Sequence, residues 1–143
     1  MSADHDDARE SASVEPRPAV LVVLTDVDPE NEDELNRWYA EEHIPQRLGF
    51  PGFVRARRFT LAEGLDWPGA RWQETAPGRK YLTIYELEDV SAMNSQEYIA
   101  AYDDLTPWSK RVNPSMRNVI RAVYVETLNA SAGDEPDEGS AVE

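Results

Sequence analysis

Apolar residues recur along the chain in two periods, and their alternation lays out the elements. Ala19 to Val27 is β-branched and apolar at both parities, the pattern of a buried strand. Asp28-Pro29 then offers a helix N-cap with proline at the first helical position. Asn31 with Glu34 offers an overlapping cap of the capping-box kind, with Asn in place of the usual Ser or Thr. The spacing predicts a helix from there to about Arg47. Glu30, Glu32, Asp33 and Glu34 at its start and Arg47 at its end suit the helix dipole. Leu35, Trp38, Tyr39 and Glu42 fall on one face and Ile44 closes the end, with Pro45, Gly49, Pro51 and Gly52 as stop signals.

Phe53 to Leu61 alternates as a second strand. Phe53, Arg55, Arg57, Phe59 and Leu61 share one face, and Val54, Ala56, Arg58 and Thr60 the other. Residues 62–79, with three Gly, two Pro, Trp67 and Trp72, read as a long loop. Lys80 to Leu87 is a third strand, with Tyr81, Thr83 and Tyr85 opposite Leu82 and Ile84. Ser91 or Ser95 caps a second helix carrying Met93, Tyr98, Ile99, Tyr102 and Leu105. Thr106-Pro107-Trp108 begins a short irregular or helical piece reaching Pro114, and Asn118 to Leu128 is a fourth strand. The order β-α-β-β-α-β is that of the ferredoxin-like α+β fold, a four-stranded antiparallel sheet with two helices on one face. The other face is left open. It carries Arg55, Arg57, Phe59, Tyr81 and Tyr85, or the complementary set. A second copy of the sheet is the simplest cover, making a homodimer with a closed two-fold barrel and a cavity.

Length and charge bound this picture. The 143 residues fit one domain, and the absence of cysteine excludes a disulfide framework, thiol catalysis and cysteine metal sites. The net charge of −14 argues against a nucleic-acid partner, whose phosphates need excess Lys and Arg. No run of about 18 apolar residues exists to span a membrane, and the N-terminus lacks the pattern of a signal peptide, so a cytoplasmic location is expected. The charge divides unevenly. Residues 1–16 carry five acidic residues against Arg9, and residues 129–143 carry five with no basic residue. Both ends are poor in large apolar residues and are expected to be disordered acidic tails flanking a domain at 17–128, with a solubilising role weighed above an interaction role. Asn129-Ala130-Ser131 matches a glycosylation sequon, read as chance without a secretion signal.

The segment Asn36 to Phe59 contains Trp38-Tyr39, then His43-Ile44-Pro45, then Pro51-Gly52-Phe53 and an arginine-rich strand. It resembles the dimeric α/β-barrel superfamily, and within it the EthD-like proteins. Members often show a W-Y-x-x-x-H-x-P helix end followed by P-G-F. Glu97-Tyr98, Thr106 to Arg111 and Arg121 to Tyr124 resemble the second half of the same group, so the match covers roughly residues 19–127. The resemblance implies a dimeric barrel that binds a small molecule. Relatives include polyketide cyclases, lactone isomerases, anthrone oxygenases, small decarboxylases and haem enzymes, so it sharpens architecture more than function.

His43 is the one histidine of the predicted domain. A position near a helix C-terminus favours its cationic form, and Tyr39 lies one turn before it. The resemblance implies a histidine that points into the cavity and transfers protons. The alternative is a capping histidine that bonds the last helical carbonyls. Arg55, Arg57 and Arg58 put three cations on one strand, with Arg55 and Arg57 about 7 Å apart on a shared face. They would hold a carboxylate or enolate if that face lines a cavity. Edge solubility with pairing to Glu86 or Glu126 is the plainer reading. Tyr81, Tyr85 and Tyr124 are hydrogen-bond donors to a ligand carbonyl or ordinary β-formers. Asp26 orients a base or ligand, or caps the turn into the helix. Trp67 and Trp72 form a lid or a subunit contact, and Trp108 a packing anchor.

The expected site therefore has His43, Tyr39, Arg57 and Tyr85 as catalytic groups, with Arg55, Tyr81, Tyr124, Trp67, Trp72 and Asp26 binding substrate. No phosphate loop, dinucleotide fingerprint or nucleophile elbow is present. One usable histidine argues against zinc or non-haem iron. The first function is cofactor-independent cyclisation, isomerisation or decarboxylation of a small aromatic or polyketide-like molecule, with no cofactor and no metal. The alternatives are a non-catalytic binding or stress-associated barrel, and a haem protein with His43 as axial ligand. With the tails set apart, the domain retains a locally basic strand suited to an anionic small molecule.

Overall fold

The computed structural model describes residues 16–70 and 79–133. Four strands, β1 (Ala19–Val27), β2 (Phe53–Thr60), β3 (Tyr81–Leu87) and β4 (Met116–Val125), form one sheet in the order β2-β3-β1-β4. All neighbours are antiparallel. This is the ferredoxin-like α+β topology expected from the element order. A short 3₁₀ turn at Pro29–Asn31 leads into α1 (Glu32–Trp38), a π-helical turn (Tyr39–His43) and α2 (Ile44–Leu48). On the return path lie a 3₁₀ turn (Val90–Asn94), α3 (Gln96–Asp103) and α4 (Pro107–Val112).

The inner strands alternate cleanly. Ala19, Leu21, Val23 and Thr25 of β1 and Tyr81, Thr83, Tyr85 and Leu87 of β3 are buried beneath the helices. Their neighbours Val20, Val22, Leu24, Leu82, Ile84 and Glu86 are half-buried on the other face. Two apolar clusters fill the helix–sheet interface. One joins Leu21, Val23, Phe53, Tyr85, Leu87 and Tyr98, and the other Leu35, Trp38, Tyr39, Tyr81 and Val112. Leu35 is fully buried, so it contributes its whole transfer free energy, about 2 kcal/mol.

Three local expectations change. Pairing passes from Phe53↔Leu87 to Arg55↔Glu86, so β2 carries an extra residue at Val54. The bulge puts Phe53 on the face of Ala56 and Arg58, and not on that of Arg57 and Phe59. The open face thus holds Arg55, Arg57 and Phe59, while Tyr81 and Tyr85 belong to the covered face. Neither Asp28 nor Asn31 makes a side-chain cap at the first helix. Asp28 accepts from Arg117, and Glu34 from Arg111, because these ion pairs tie the helix to distant segments. Pro45 does not stop the helix. It sits in the first turn of α2, which runs on to Leu48.

Later caps form as expected. Ser95 accepts from the Tyr98 amide, and Thr106 from the Ser109 amide. Glu42 ties the two helical layers together by accepting from Trp38 Nε1 at 3.2 Å and Thr106 Oγ1 at 2.6 Å. Among the described residues no helix is long and apolar enough to cross a membrane. The expectations for residues 1–15, 134–143 and Trp72 lie outside the described residues.

Candidate functional site

The π-helical turn determines which side chains face the sheet. The Ile44 amide bonds the Tyr39 carbonyl, five residues back. The widened turn accommodates Pro45, which has no amide proton to give. Tyr39 and His43 both point inward and are 2% and 9% exposed. The His43 ring stacks on Trp38 at 4.1 Å and meets Tyr39 edge-on at 5.3 Å. Tyr85, rising from β3, presents its ring at 6.3 Å and 80°. His43, Tyr39 and Tyr85 are therefore brought together at the helix–sheet interface, with no hydrogen bond from His43 to a helical carbonyl among the described residues.

The electrostatics differ from the local expectation. Burial, reinforced by the nearby cations Arg47 and Arg121, holds the His43 pKa well below 6.5, so the ring is neutral at pH 7. The helix dipole, which alone favours the cation, is outweighed. Burial also raises both phenols, Tyr85 with Tyr39 beside it and Tyr39 against the pull of Arg58, so both stay protonated. The Tyr85 hydroxyl is buried and has no hydrogen-bond partner among the described residues. A buried donor left unpaired costs about 1–3 kcal/mol, which a ligand oxygen would recover.

Cations line this interior. Arg47 is 6% exposed and lies near the Phe50, Tyr98 and Tyr102 rings. Arg58 is sandwiched between Tyr39 at 4.1 Å and Tyr81 at 4.3 Å, and donates to Asn36. Arg121 lies over the Tyr102 ring. A narrow cleft beside His43, lined also by Arg47, Tyr102, Thr106, Ser109 and Arg121, has a volume of about 30 Å³. That is room for about two waters or the head group of a ligand.

The structure separates the other predicted residues from this group. Arg57 is on the opposite face, paired with Glu86 at 3.8 Å and stacked on Phe59, and Arg55 lies opposite Glu86 on that face. The bulge at Val54 is the cause. Tyr124 is 61% exposed on the same open face, across from Val20. Tyr81 is buried, but its hydroxyl donates to Glu32 and its ring serves Arg58. Asp26 accepts from the Lys80 amide and from Asn118, which joins the strand ends rather than capping the helix. Trp67 is 42% exposed in the segment after β2, its ring against Gly69. Trp72 lies outside the described residues. The residues missed are Arg47, Arg58 and Arg121. The spacing of Arg47 four residues after His43 was a usable signal, whereas the face of Arg58 depends on a bulge with no sequence mark. Among the described residues no three His, Asp or Glu side chains cluster as a metal site.

A second, open hollow of about 650 Å³ crosses the uncovered sheet face between Val20, Arg57, Ile84, Glu86 and Tyr124. It touches neither His43 nor Tyr85.

No family model and no curated protein matches the chain. Solved structures do. A hydroxynitrile lyase from Passiflora edulis superposes over 82% of this chain and 100% of its own, with TM-score 0.53 and 12% identity. The haem-degrading MhuD of Mycobacterium tuberculosis, solved with two haems in its active site, covers 79% and 99% with TM-score 0.52 and 14% identity. An ethyl tert-butyl ether degradation (EthD) family protein from Bacillus halodurans covers 76% and 99% with TM-score 0.48 and 14% identity. At these identities the likeness is one of fold. The chain has the ferredoxin-like α+β fold that these structures share.

Proposed function

We propose that this chain is a small-molecule enzyme of the dimeric-barrel type that moves a proton with His43 in the helix–sheet cleft. The observation that carries the reading is a neutral, buried imidazole whose ring lies 6.3 Å from that of Tyr85, a residue with an unpaired buried hydroxyl. A neutral imidazole is ready to accept a proton, and a protonated phenol is ready to donate a hydrogen bond to an oxygen that becomes negative. Tyr39 meets the His43 ring edge-on. The role assigned to Arg57 passes to the cations on this face. Isomerisation, cyclisation and decarboxylation of a small aromatic or polyketide-like carbonyl compound all use such a pair without a cofactor. The test is exchange of protons next to a carbonyl for deuterium in D₂O, followed by NMR over a panel of aromatic keto compounds. Catalysed exchange lost in His43→Ala supports the reading. Exchange that is equal with and without His43 overturns it and favours the non-catalytic barrel.

The same reading includes a homodimer. Phe59, Ile120 and Tyr124 are 40%, 40% and 61% exposed on the uncovered face. A second sheet would bury them together with the half-buried Val20, Val22, Leu82 and Ile84. A haem does not fit the cleft as it stands. About 30 Å³ beside His43 is far below the several hundred Å³ that a molecule of that size needs.

A further inference from the structure

We propose that the cleft beside His43 recognises the carboxylate of an acidic small molecule, gripped between Arg47 and Arg121. The inference rests on the site just described and names its substrate class.

The arginines of this acidic chain differ in their partners. Arg37, Arg57, Arg111 and Arg117 each have a carboxylate partner, Glu41, Glu86, Glu34 and Asp28. Arg47 and Arg121, like Arg17, Arg55 and Arg58, have no ion pair among the described residues, and of these Arg47 is the one that is buried, at 6% exposed. A buried cation without a counter-charge is costly, and the sequence holds 28 acidic residues from which a partner was available. The one hydrogen bond the Arg47 side chain makes among the described residues is to the neutral Gln46 side chain, at 3.0 Å. Its Cζ atom lies over three aromatic rings at 5.4 to 5.9 Å, and that of Arg121 lies over one of them, Tyr102, at 5.5 Å. These rings offer no anionic oxygen to either guanidinium, whose N–H groups suit a planar, two-oxygen acceptor.

The remaining walls are largely polar. His43 comes from the π-helical turn, Thr106 and Ser109 from the start of α4, and Asn113 from its end. The adjacent carboxylate, Glu42, accepts from Trp38 Nε1, Thr106 and Ser109 and forms no ion pair with Arg47 or Arg121 among the described residues. The volume of about 30 Å³ admits a carboxylate and leaves the body of the molecule at the mouth. An acid bound there has its adjoining carbons near His43, the geometry that proton transfer or loss of CO₂ requires.

The test compares phenylacetate with phenylacetamide, its neutral isostere, at equal ionic strength. Binding is followed by the ¹⁵N signals of the arginine side chains and by thermal melting. Phenylacetate is expected to bind saturably, about tenfold or more tighter than the amide, and to lose about tenfold in Arg121→Gln. Arg121 is exposed, so that variant retains the fold. Equal affinity for acid and amide, affinity unaltered by Arg121→Gln, or no saturable response to phenylacetate overturns the proposal. His43→Gln separates it from the catalytic reading. If exchange is lost and phenylacetate still binds, both stand. If exchange persists and phenylacetate binds, only the proton-transfer role falls. If exchange depends on His43 and phenylacetate does not bind, only the carboxylate site falls.

Discussion

Acidification provides a measurement of the His43 environment. The perturbation is a change from about pH 7.5 to about pH 5.5, applied to the protein and to His43→Gln. Free histidine titrates near 6.5, whereas the folded ring, 9% exposed and facing Arg47 and Arg121, takes up its proton only well below that. Over this interval the unfolded chain binds a proton that the folded chain does not, so stability falls as pH falls. It is fully present above pH 6.5 and is lost from there down toward the folded pKa. One proton with a strongly depressed folded pKa corresponds to about 1.4 kcal/mol over the interval. Asp26, Glu32 and Asp89 also have carboxyls held below their usual values of 3.8, 4.5 and 3.8. Their contributions are lost only below about pH 4.5, outside the window. Urea unfolding at a series of pH values reads the effect directly. The variant has its own stability, so the difference in slope is the quantity compared. A gap that closes by about 1.4 kcal/mol on acidification supports a buried neutral histidine. Parallel curves refute it.

Tyr85→Phe removes a hydroxyl that has no partner among the described residues, so it is expected to stabilise the unliganded protein by about 1 kcal/mol in urea melts while weakening deuterium exchange. Loss of stability would mean that the hydroxyl is already satisfied. Leu35→Ala empties a fully buried position and is expected to cost about 2–5 kcal/mol by the same assay, and a cost under about 1 kcal/mol would contradict the packing. Tyr124→Asp places a charge on the open sheet face and is expected to convert a dimer to a monomer in light scattering with unchanged circular dichroism. A variant that stays dimeric contradicts the proposed covering of that face.

The sheet was legible because its signals are local. The alternation in β1 and β3 and the order of elements are written in residue types, and they lead to the observed topology. The meeting of Tyr39 with His43 was legible from their spacing and from the motif around them. What escaped depends on contacts far away in sequence. The bulge at Val54 exchanges the faces of Phe53 and Arg57, yet no glycine or proline marks it. The capping signals at Asp28 and Asn31 were real as local preferences, but ion pairs to Arg117 and Arg111 recruit Asp28 and Glu34. The charge of His43 was misread for the same reason. The helix terminus is a local term of under about 1 kcal/mol, whereas burial against the sheet and two arginines is a larger, tertiary one. The basic locus expected from Arg55, Arg57 and Arg58 moves to Arg47, Arg58 and Arg121, contributed by three different elements.

The most direct test of the helix–sheet cleft as the functional centre is an NMR titration of the full chain with phenylacetate at pH 7, observing the His43 ring nitrogens. A neutral imidazole pattern in the free protein is expected, with His43 and Arg121 shifting on saturation while Arg57 and Tyr124 stay in place. A protonated His43 ring in the free protein, or shifts confined to Arg57 and Tyr124 on the open sheet face, would contradict it.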